Sequence, residues 1–347
     1  MALNYAKLFP NSEKRFKYIS YAGDSLTICQ RLDLLYRSEG DRCNRGELAY
    51  STYHGYKKEI NRLITYFEKC HPKMRLSELQ TGHLDKWGKR RNVRQKTLNE
   101  EKKHIQSIIN YAIGKNHIEK NILNGWSPSV NKKILIGVND KGEEIYKKDY
   151  EKHPFSKNEI EKILASALIV APEQYSFILF RFALGLRPCE IIGLQWSRYN
   201  ELKNSIYIKE TVVLNKFKET TKTPAGERTH SLNKAAKKAI DIQKEITYND
   251  HQFIFIDLNN NNTNHWWSVK TLEKAWKKIL SHAGVPYRRA YNTRHSYATQ
   301  LLKAGKSILE VSELLGHGDM RITMDSYAGG KNDDILTADE VDSFITI

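Results

Sequence analysis

Cysteine is scarce and scattered. Only Cys29, Cys43, Cys70 and Cys189 occur in 347 residues, and none forms a CxxC pair, so neither a zinc knuckle nor a disulfide framework is indicated. That usage suits a reducing cytoplasm. Long apolar runs are missing as well: no stretch approaches the roughly 20 residues of a membrane span. The first residues, MALNYAKLFPNSEKRF, have no apolar core of a signal peptide. Clustered carboxylates are also lacking. Asp333 and Asp334 are adjacent and would diverge on a regular element, so the magnesium-holding acid cluster of metal nucleases is not offered. The expectation is therefore no metal, no cofactor and no membrane. There is no internal repeat, and no low-complexity tract beyond the NNNN at 259–262.

Acid itself is in deficit. Against 56 Lys and Arg stand 40 Asp and Glu, giving a net charge of +16 and a pI of about 9.4. Excess cation on a folded chain favours polyanions, because it releases the counterions condensed on phosphates. Nucleic acid is the partner this implies. The exception is NDDILTADEVD, Asn332 to Asp342, which holds no basic residue. That stretch should avoid DNA and suits a protein partner.

What is present is helical patterning followed by a mixed region. SLTICQRLDLLYRSEG spaces Ile28, Leu32, Leu35 and Tyr36 near helical period. STYHGYKKEINRLITYFEKCH places Tyr56, Ile60, Leu63 and Phe67 on one stripe behind a candidate Ser51 cap, and a later segment repeats the stripe at Leu98, Ile105, Ile108, Ile109 and Ala112. Residues 124–153 break the period and read as a connection with a short strand at KILIGV. Ser156 and Glu159 then form a capping box. PEQYSFILFRFALGL reads as a buried helix stopped by Gly185. NSIYIKETVVLNKF and THSL alternate like strands, TPAGE supplies the turn between two of them, and HQFIFID is a further strand candidate. Trp266 and Trp267 suit packing beside a strand.

Cutting a phosphodiester without clustered acids requires fixed cations, and a guanidinium donates bidentately to phosphate oxygens without losing its charge. Three segments carry isolated candidates. ALGLRPCEIIGLQW holds Arg187 and Glu190. ETTKTPAGERTHSL holds Lys222 at the edge of the expected hairpin turn, favoured over Lys216 and Lys218 by its TKT context. YNTRHSYATQLLKAG opens a helix with Arg294 and His295. Gly305 ends that helix, and SILEVSELLGHG brings a further glycine stop and His317.

In this order, LGLRPCEIIGLQW, TKTPAGERTHSL, YNTRHSYATQLL and LLGHGDM, followed by a tyrosine at 327, the chain resembles the tyrosine recombinases, or phage integrases. The resemblance runs from about Pro154 to Tyr327, and TYHGYKKEINRLITYFE with HIEKNIL is similar to the family's core-binding region. It implies a mainly α fold with a small antiparallel β-sheet: a helical core-type DNA-binding domain over 25–123 and a mixed α/β catalytic domain over 154–330. Around these lie an N-terminal extension (1–24), a linker (124–153) and a C-terminal tail (331–347) that docks on a neighbouring subunit.

By the same resemblance Arg187 and Arg294 bind the scissile phosphate, Lys222 protonates the departing 5′-oxygen, and His317 hydrogen-bonds the phosphate. Glu190 orients Arg187, and Tyr327 attacks to give a 3′-phosphotyrosine. The expected partners are double-stranded attachment sites, a homotetramer on two duplexes, and DNA-bending and directionality proteins. The expected setting is cytoplasmic and nucleoid-associated. A Xer-like resolvase or a topoisomerase-like nicking-closing enzyme would use the same residues on other DNA; a non-catalytic DNA-binding relative would keep only the fold. One position departs from the family's usual pattern: Tyr291 stands where a histidine is common, three residues before Arg294. A phenol with an ordinary pKa of about 10 donates to phosphate but is a poor general base. His295 reads as a buried structural histidine. The start at NYAKLFPNSEKRF resembles the segment that follows an arm-type domain, which is either naturally lacking or removed.

Overall fold

The computed structural model describes residues 25–90, 93, 95–128, 135–138, 144–146, 154–221, 223–260 and 264–327, the side chains of 135–138, 144–146, 322 and 325–327 excepted. The expected N-terminal extension, most of the linker, Lys222 and the C-terminal tail lie outside the described residues. The chain divides into two compact units, Met1–Lys147 and Lys148–Ile347.

The first unit is a helical bundle of α1 (Ile28–Asn44), α2 (Tyr50–Cys70), α3 (Thr81–Lys89) and α4 (Gln95–Gly114). Thr27 starts α1 by accepting from the Gln30 backbone, and Gln30 reciprocates, closing a capping box. Ser51 does not cap α2, contrary to expectation. The helix begins at Tyr50, with Ala49 in the cap position and no side-chain bond there. The stripes meet as anticipated: Ile60, Leu63 and Phe67 of α2 pack with Leu98, Ile105, Ile109 and Ala112 of α4, joined by Ile28, Leu32, Leu84 and Trp87. Two polar ties fix α4 against α2. The buried Glu101 carboxylate accepts from Arg62 at 2.7 Å, and His104 meets Glu59 at 2.8 Å. A short antiparallel pair, β1 (Leu135–Val138) with β2 (Glu144–Tyr146), includes the expected strand in KILIGV.

The second unit is built around one apolar helix. After α5 (Lys157–Val170), capped by Ser156 and Glu159 as read from sequence, comes α6 (Tyr175–Leu184), every residue of which is buried. Two stretches behave differently from expectation. The TPAGE turn is no hairpin between paired strands. β5 (Thr211–Val213) turns tightly into β6 (Lys216–Lys218), with Leu214 and Asn215 both at positive φ, and those two strands pair with each other. The residues of TPAGE instead lead to β7 (Arg228–Ser231), which pairs with β4 (Ser205–Ile208) beside β3 (Tyr199–Asn200). HQFIFID joins neither sheet. It runs buried through Phe253, Ile254, Phe255 and Ile256, held by an isolated bridge between Gln195 and Phe253, by the Thr247 hydroxyl donating to the Ile254 carbonyl at 3.0 Å and by the Asp257 N–H donating to the His265 carbonyl at 2.6 Å. Its four successive apolar side chains face core on both sides. Trp266 and Trp267 are buried in this same core.

Helices α7 (Pro188–Ile192), α8 (Lys234–Thr247), α9 (Val269–His282), α10 (Asn292–Lys303), α11 (Ile308–Leu315) and α12 (Met320–Tyr327) complete the unit. Among the described residues no helix is long and apolar enough to cross a membrane.

Candidate active site

The site is assembled from helix ends. α6 stops at Gly185, which takes the left-handed conformation (φ 61°) and donates its N–H to the Arg181 carbonyl at 3.0 Å. Two residues later Arg187 occupies the N-cap of α7, with Pro188 at the first helical position and Glu190 at the third. The Glu190 carboxylate reaches back to accept from the Arg187 backbone at 2.9 Å and from Arg187 Nη1 at 2.6 Å. Sequence neighbours thus lock one another locally, before any tertiary contact.

α11 ends at a second left-handed glycine, Gly316 (φ 67°). Gly316 donates to the Glu313 carbonyl at 2.9 Å and His317 donates to the Ser312 carbonyl at 3.0 Å, the paired bonds of a Schellman motif. His317 is therefore held by its own backbone. The motif leaves the next carbonyls without helical partners. Arginines take three in succession: Arg228 Nε donates to Leu314 at 2.7 Å, Arg294 Nη2 to Leu315 at 2.7 Å, and Arg187 Nη2 to Gly316 at 3.2 Å. Cations belong at this negative end of a helix dipole. Arg294 also donates to the Gly185 carbonyl at 3.0 Å, which ties both glycine corners together.

Three guanidiniums in one corner need an anion, and Glu190 supplies it. It is 1% exposed and bonds Arg228 at 3.2 Å as well as Arg187. Burial alone would raise its carboxyl, but the charges of Arg228 and then Arg187, the Arg187 N–H and Arg294 hold it below the ordinary carboxylate range. Burial, with Arg187 beside it, pushes the Arg294 guanidinium down to about 10, still a cation at neutral pH. His317 is half-buried; burial and the charges of Arg294, Arg187 and Arg228 drive its imidazole down to about 4. Its Nδ1 lies 2.8 Å from the hydroxyl of Thr323, a fully buried residue of α12.

The sequence-based candidates fare unequally. Arg187, Glu190, Arg294 and His317 come together. Tyr291 is 43% exposed at the N-cap of α10, its ring edge-on to His295 at 5.4 Å. His295 is only half-buried, not the buried histidine expected, because it lies beside the exposed Tyr291 at the start of α10. The backbone of Tyr327 closes α12, one helical turn beyond Thr323. Its side chain and the whole of Lys222 lie outside the described residues.

Three contributors escaped the sequence reading: Arg228, His230 and Thr323. Arg228 and His230 sit two apart on β7, so both face inward, while Thr229 and Ser231 are exposed. That alternation of basic and small polar residues is the signal that could have found them. Among the described residues no group of three or more His, Cys, Asp or Glu side chains could hold a metal ion.

Comparison with known proteins places this corner. The phage integrase family model matches residues 154–332, just over half of the chain. The tyrosine recombinase XerC-like protein of Caldanaerobacter subterraneus subsp. tengcongensis is 30% identical over 257 residues, 67% of this chain and 62% of that protein. The chain spans less than two thirds of the length of these curated relatives, which include prophage integrase IntR of Escherichia coli, 26% identical over 50% of this chain and 46% of that protein. A lambda integrase dimer bound to a COC′ core site superposes with a TM-score of 0.68 at 15% identity, over 96% of this chain and 87% of that one. A lambda integrase tetramer bound to a Holliday junction superposes with a TM-score of 0.65 at 14% identity, over 96% and 88%. At such identities these two likenesses concern the fold. With the family model covering the whole arginine corner, the chain belongs to the phage integrase family of tyrosine recombinases.

Proposed function

We propose that this chain is a site-specific DNA recombinase that cuts and rejoins strands through a 3′-phosphotyrosine. The observation that carries the reading is the convergence of Arg187, Arg294 and His317 on one helix end, from which the chain leads directly into the helix ending at Tyr327. In this reading the Tyr327 phenol releases its proton to solvent as its oxygen attacks phosphorus, and the P–O5′ bond breaks. Lys222 delivers the proton that makes the leaving oxygen a hydroxyl. The covalent link keeps the phosphodiester's energy, so a 5′-hydroxyl from another duplex reverses the step without ATP. Arg187, 20% exposed, is the guanidinium a phosphate oxygen meets first. Arg294 is 1% exposed, so direct contact with phosphate requires the Gly316 corner to shift when DNA binds.

His317 acts as a donor. Its imidazole is neutral at physiological pH; in the tautomer whose Nδ1 accepts from the Thr323 hydroxyl, the ring proton sits on Nε2, ready for a phosphate oxygen. Tyr291 serves as a second donor from the exposed start of α10. The roles of Glu190 and His295 are indirect: Glu190 orients Arg187, and His295 supports the Tyr291 ring.

The helical region 25–123 is the core-type DNA-binding domain of this reading, and 154–330 the catalytic domain. A homotetramer on two duplexes is supported by the fold likeness to the lambda integrase tetramer bound to a Holliday junction. The tail, 331–347, docks on a neighbouring subunit. Deleting residues 335–347 should therefore weaken cooperative binding and synapsis; intact synapsis would remove that assignment. The DNA substrates are the attachment sites of a mobile element that is integrated or excised, with bending and directionality proteins assisting in a cytoplasmic, nucleoid-associated setting. A resolvase role is the second reading, favoured by the XerC-like relative.

One experiment tests the chemistry. A nicked duplex library with a randomised segment of about 40 base pairs, a length that covers two half-sites with margin, is incubated with the protein, and covalent complexes are captured under denaturing conditions. Recovery of a consensus duplex, abolished by Tyr327→Phe and unaffected by EDTA, is the expected result. No covalent complex from the wild type, or undiminished capture by Tyr327→Phe, overturns it. The recovered consensus distinguishes an element's attachment site from a resolution site.

A further inference from the structure

The proposed chemistry needs two guanidinium charges at the phosphate, yet Glu190 sets a carboxylate against one of them. That carboxylate bonds Arg187 at 2.6 Å and is almost wholly removed from solvent. Paired with Arg187 alone, it would cancel the cation where the phosphate needs it, in surroundings that screen charge poorly. Arg228 changes this balance. Its side chain is 9% exposed, its Nη2 reaches Glu190, its Nε is fixed on the Leu314 carbonyl at 2.7 Å, and its Nη1 on the Gly226 carbonyl at 2.7 Å. So tethered, it has no route to DNA of its own.

Three guanidiniums against one carboxylate leave two positive charges, with His230 and His317 neutral at physiological pH. A phosphate attacked by a phenolate oxygen carries about two negative charges in its pentacoordinate state, one more than the diester it came from. We propose that Arg228 is a positioning residue whose charge balances Glu190, leaving Arg187 and Arg294 their full charge for the scissile phosphate. Glu190 supports the assignment: after burial, the largest influence on its carboxyl is Arg228, ahead of Arg187. The inference rests on the reading of Arg187 and Arg294 as phosphate-binding residues.

Because the extra negative charge exists only in the transition state, losing Arg228 must slow cleavage more than it weakens DNA binding. The test is a double-mutant cycle on the selected nicked duplex, with single-turnover formation of the covalent complex as the readout. Arg228→Met is expected to slow that step about 10- to 100-fold. Binding of the same duplex, measured in a Tyr327→Phe background, should weaken by less than about threefold. Adding Glu190→Gln to Arg228→Met removes the carboxylate left uncancelled and should recover the rate at least about fivefold.

If the double variant is as slow as Arg228→Met or slower, Arg228 merely braces Leu314 and Gly226, and the inference is overturned. Equal losses in binding and rate overturn it as well. Should Arg228→Met fail to show a cooperative melt, Arg228→Gln carries the same cycle. Absence of any covalent complex from the wild type is a different failure: it defeats the recombinase reading itself, and this inference falls with it.

Discussion

His230 and His317 are residues from which a proton is kept away. His230 is buried beside Arg228, and burial together with that charge pushes its imidazole down to about 4, as burial and three arginines do for His317. Folded, both stay neutral until the pH approaches 4. Unfolded, each gains a proton below about 6.5, the ordinary value. Between those limits the unfolded chain binds more protons, so stability is lost as the pH falls from about 6.5 toward 4. For His230, which is wholly enclosed, this amounts to about 2 kcal/mol between pH 6.5 and 5. Urea denaturation at pH 7.5 and pH 5.0 should show that loss, and His230→Asn should flatten it. An unchanged pH slope in the variant would mean that His230 titrates normally. Reading such residues from sequence was uneven. Arg187, Glu190, Arg294 and His317 were legible because each adjoins a glycine stop or a helix start that local pattern reveals. Arg228 and His230 were not, since their inward face exists only once β7 pairs with β4.

At the scale of elements, the corner depends on α11 ending where it does. Gly316 has φ 67°, and a Cβ there would meet Arg228 Nη1 at 2.6 Å and the Ala225 carbonyl at 3.0 Å. The carbonyl is backbone and cannot turn aside, and Arg228 can yield only by giving up its bonds to Gly226, Leu314 or Glu190. Gly305 makes a control, because it too is left-handed (φ 85°) but a Cβ there meets nothing within 4 Å. Gly305→Ala should cost about 1–2 kcal/mol, the conformational penalty alone. Gly316→Ala should cost more than that and slow covalent-complex formation about tenfold or more through the displaced arginines. Equal effects of the two substitutions on melting and on cleavage would show that the corner tolerates movement. Helix stops and stripes were the most readable elements, since glycine and helical period are local signals. Strand pairing was less so: HQFIFID has the composition of a strand but finds no ladder, and the TPAGE turn joins two sheets. Those outcomes are set by partners distant in sequence.

For the whole molecule, the separation of two cores has consequences for both stability and binding. Ile28, Phe67, Trp87 and Ile105 anchor one cluster, and Phe155, Phe180, Phe255 and Trp276 anchor the other, with no residue common to both. Each unit therefore buries its own apolar surface, the term that dominates folding. Residues 148–347 produced alone should melt cooperatively, and they retain Arg187, Glu190, Arg228, Arg294, His317 and Tyr327. At saturating protein this fragment should still form the covalent complex on the selected duplex, because every residue of the proposed chemistry lies within it. Its affinity should be weaker and less dependent on salt, because basic residues of the first unit are no longer there to displace counterions from DNA phosphates. Titrations of full chain and fragment at about 50 and 200 mM salt measure this directly, the full chain losing affinity more steeply over that interval. Identical salt slopes would mean that the net charge of +16 read from the sequence acts on DNA only through the second unit. The helical unit would then need a role other than holding the duplex.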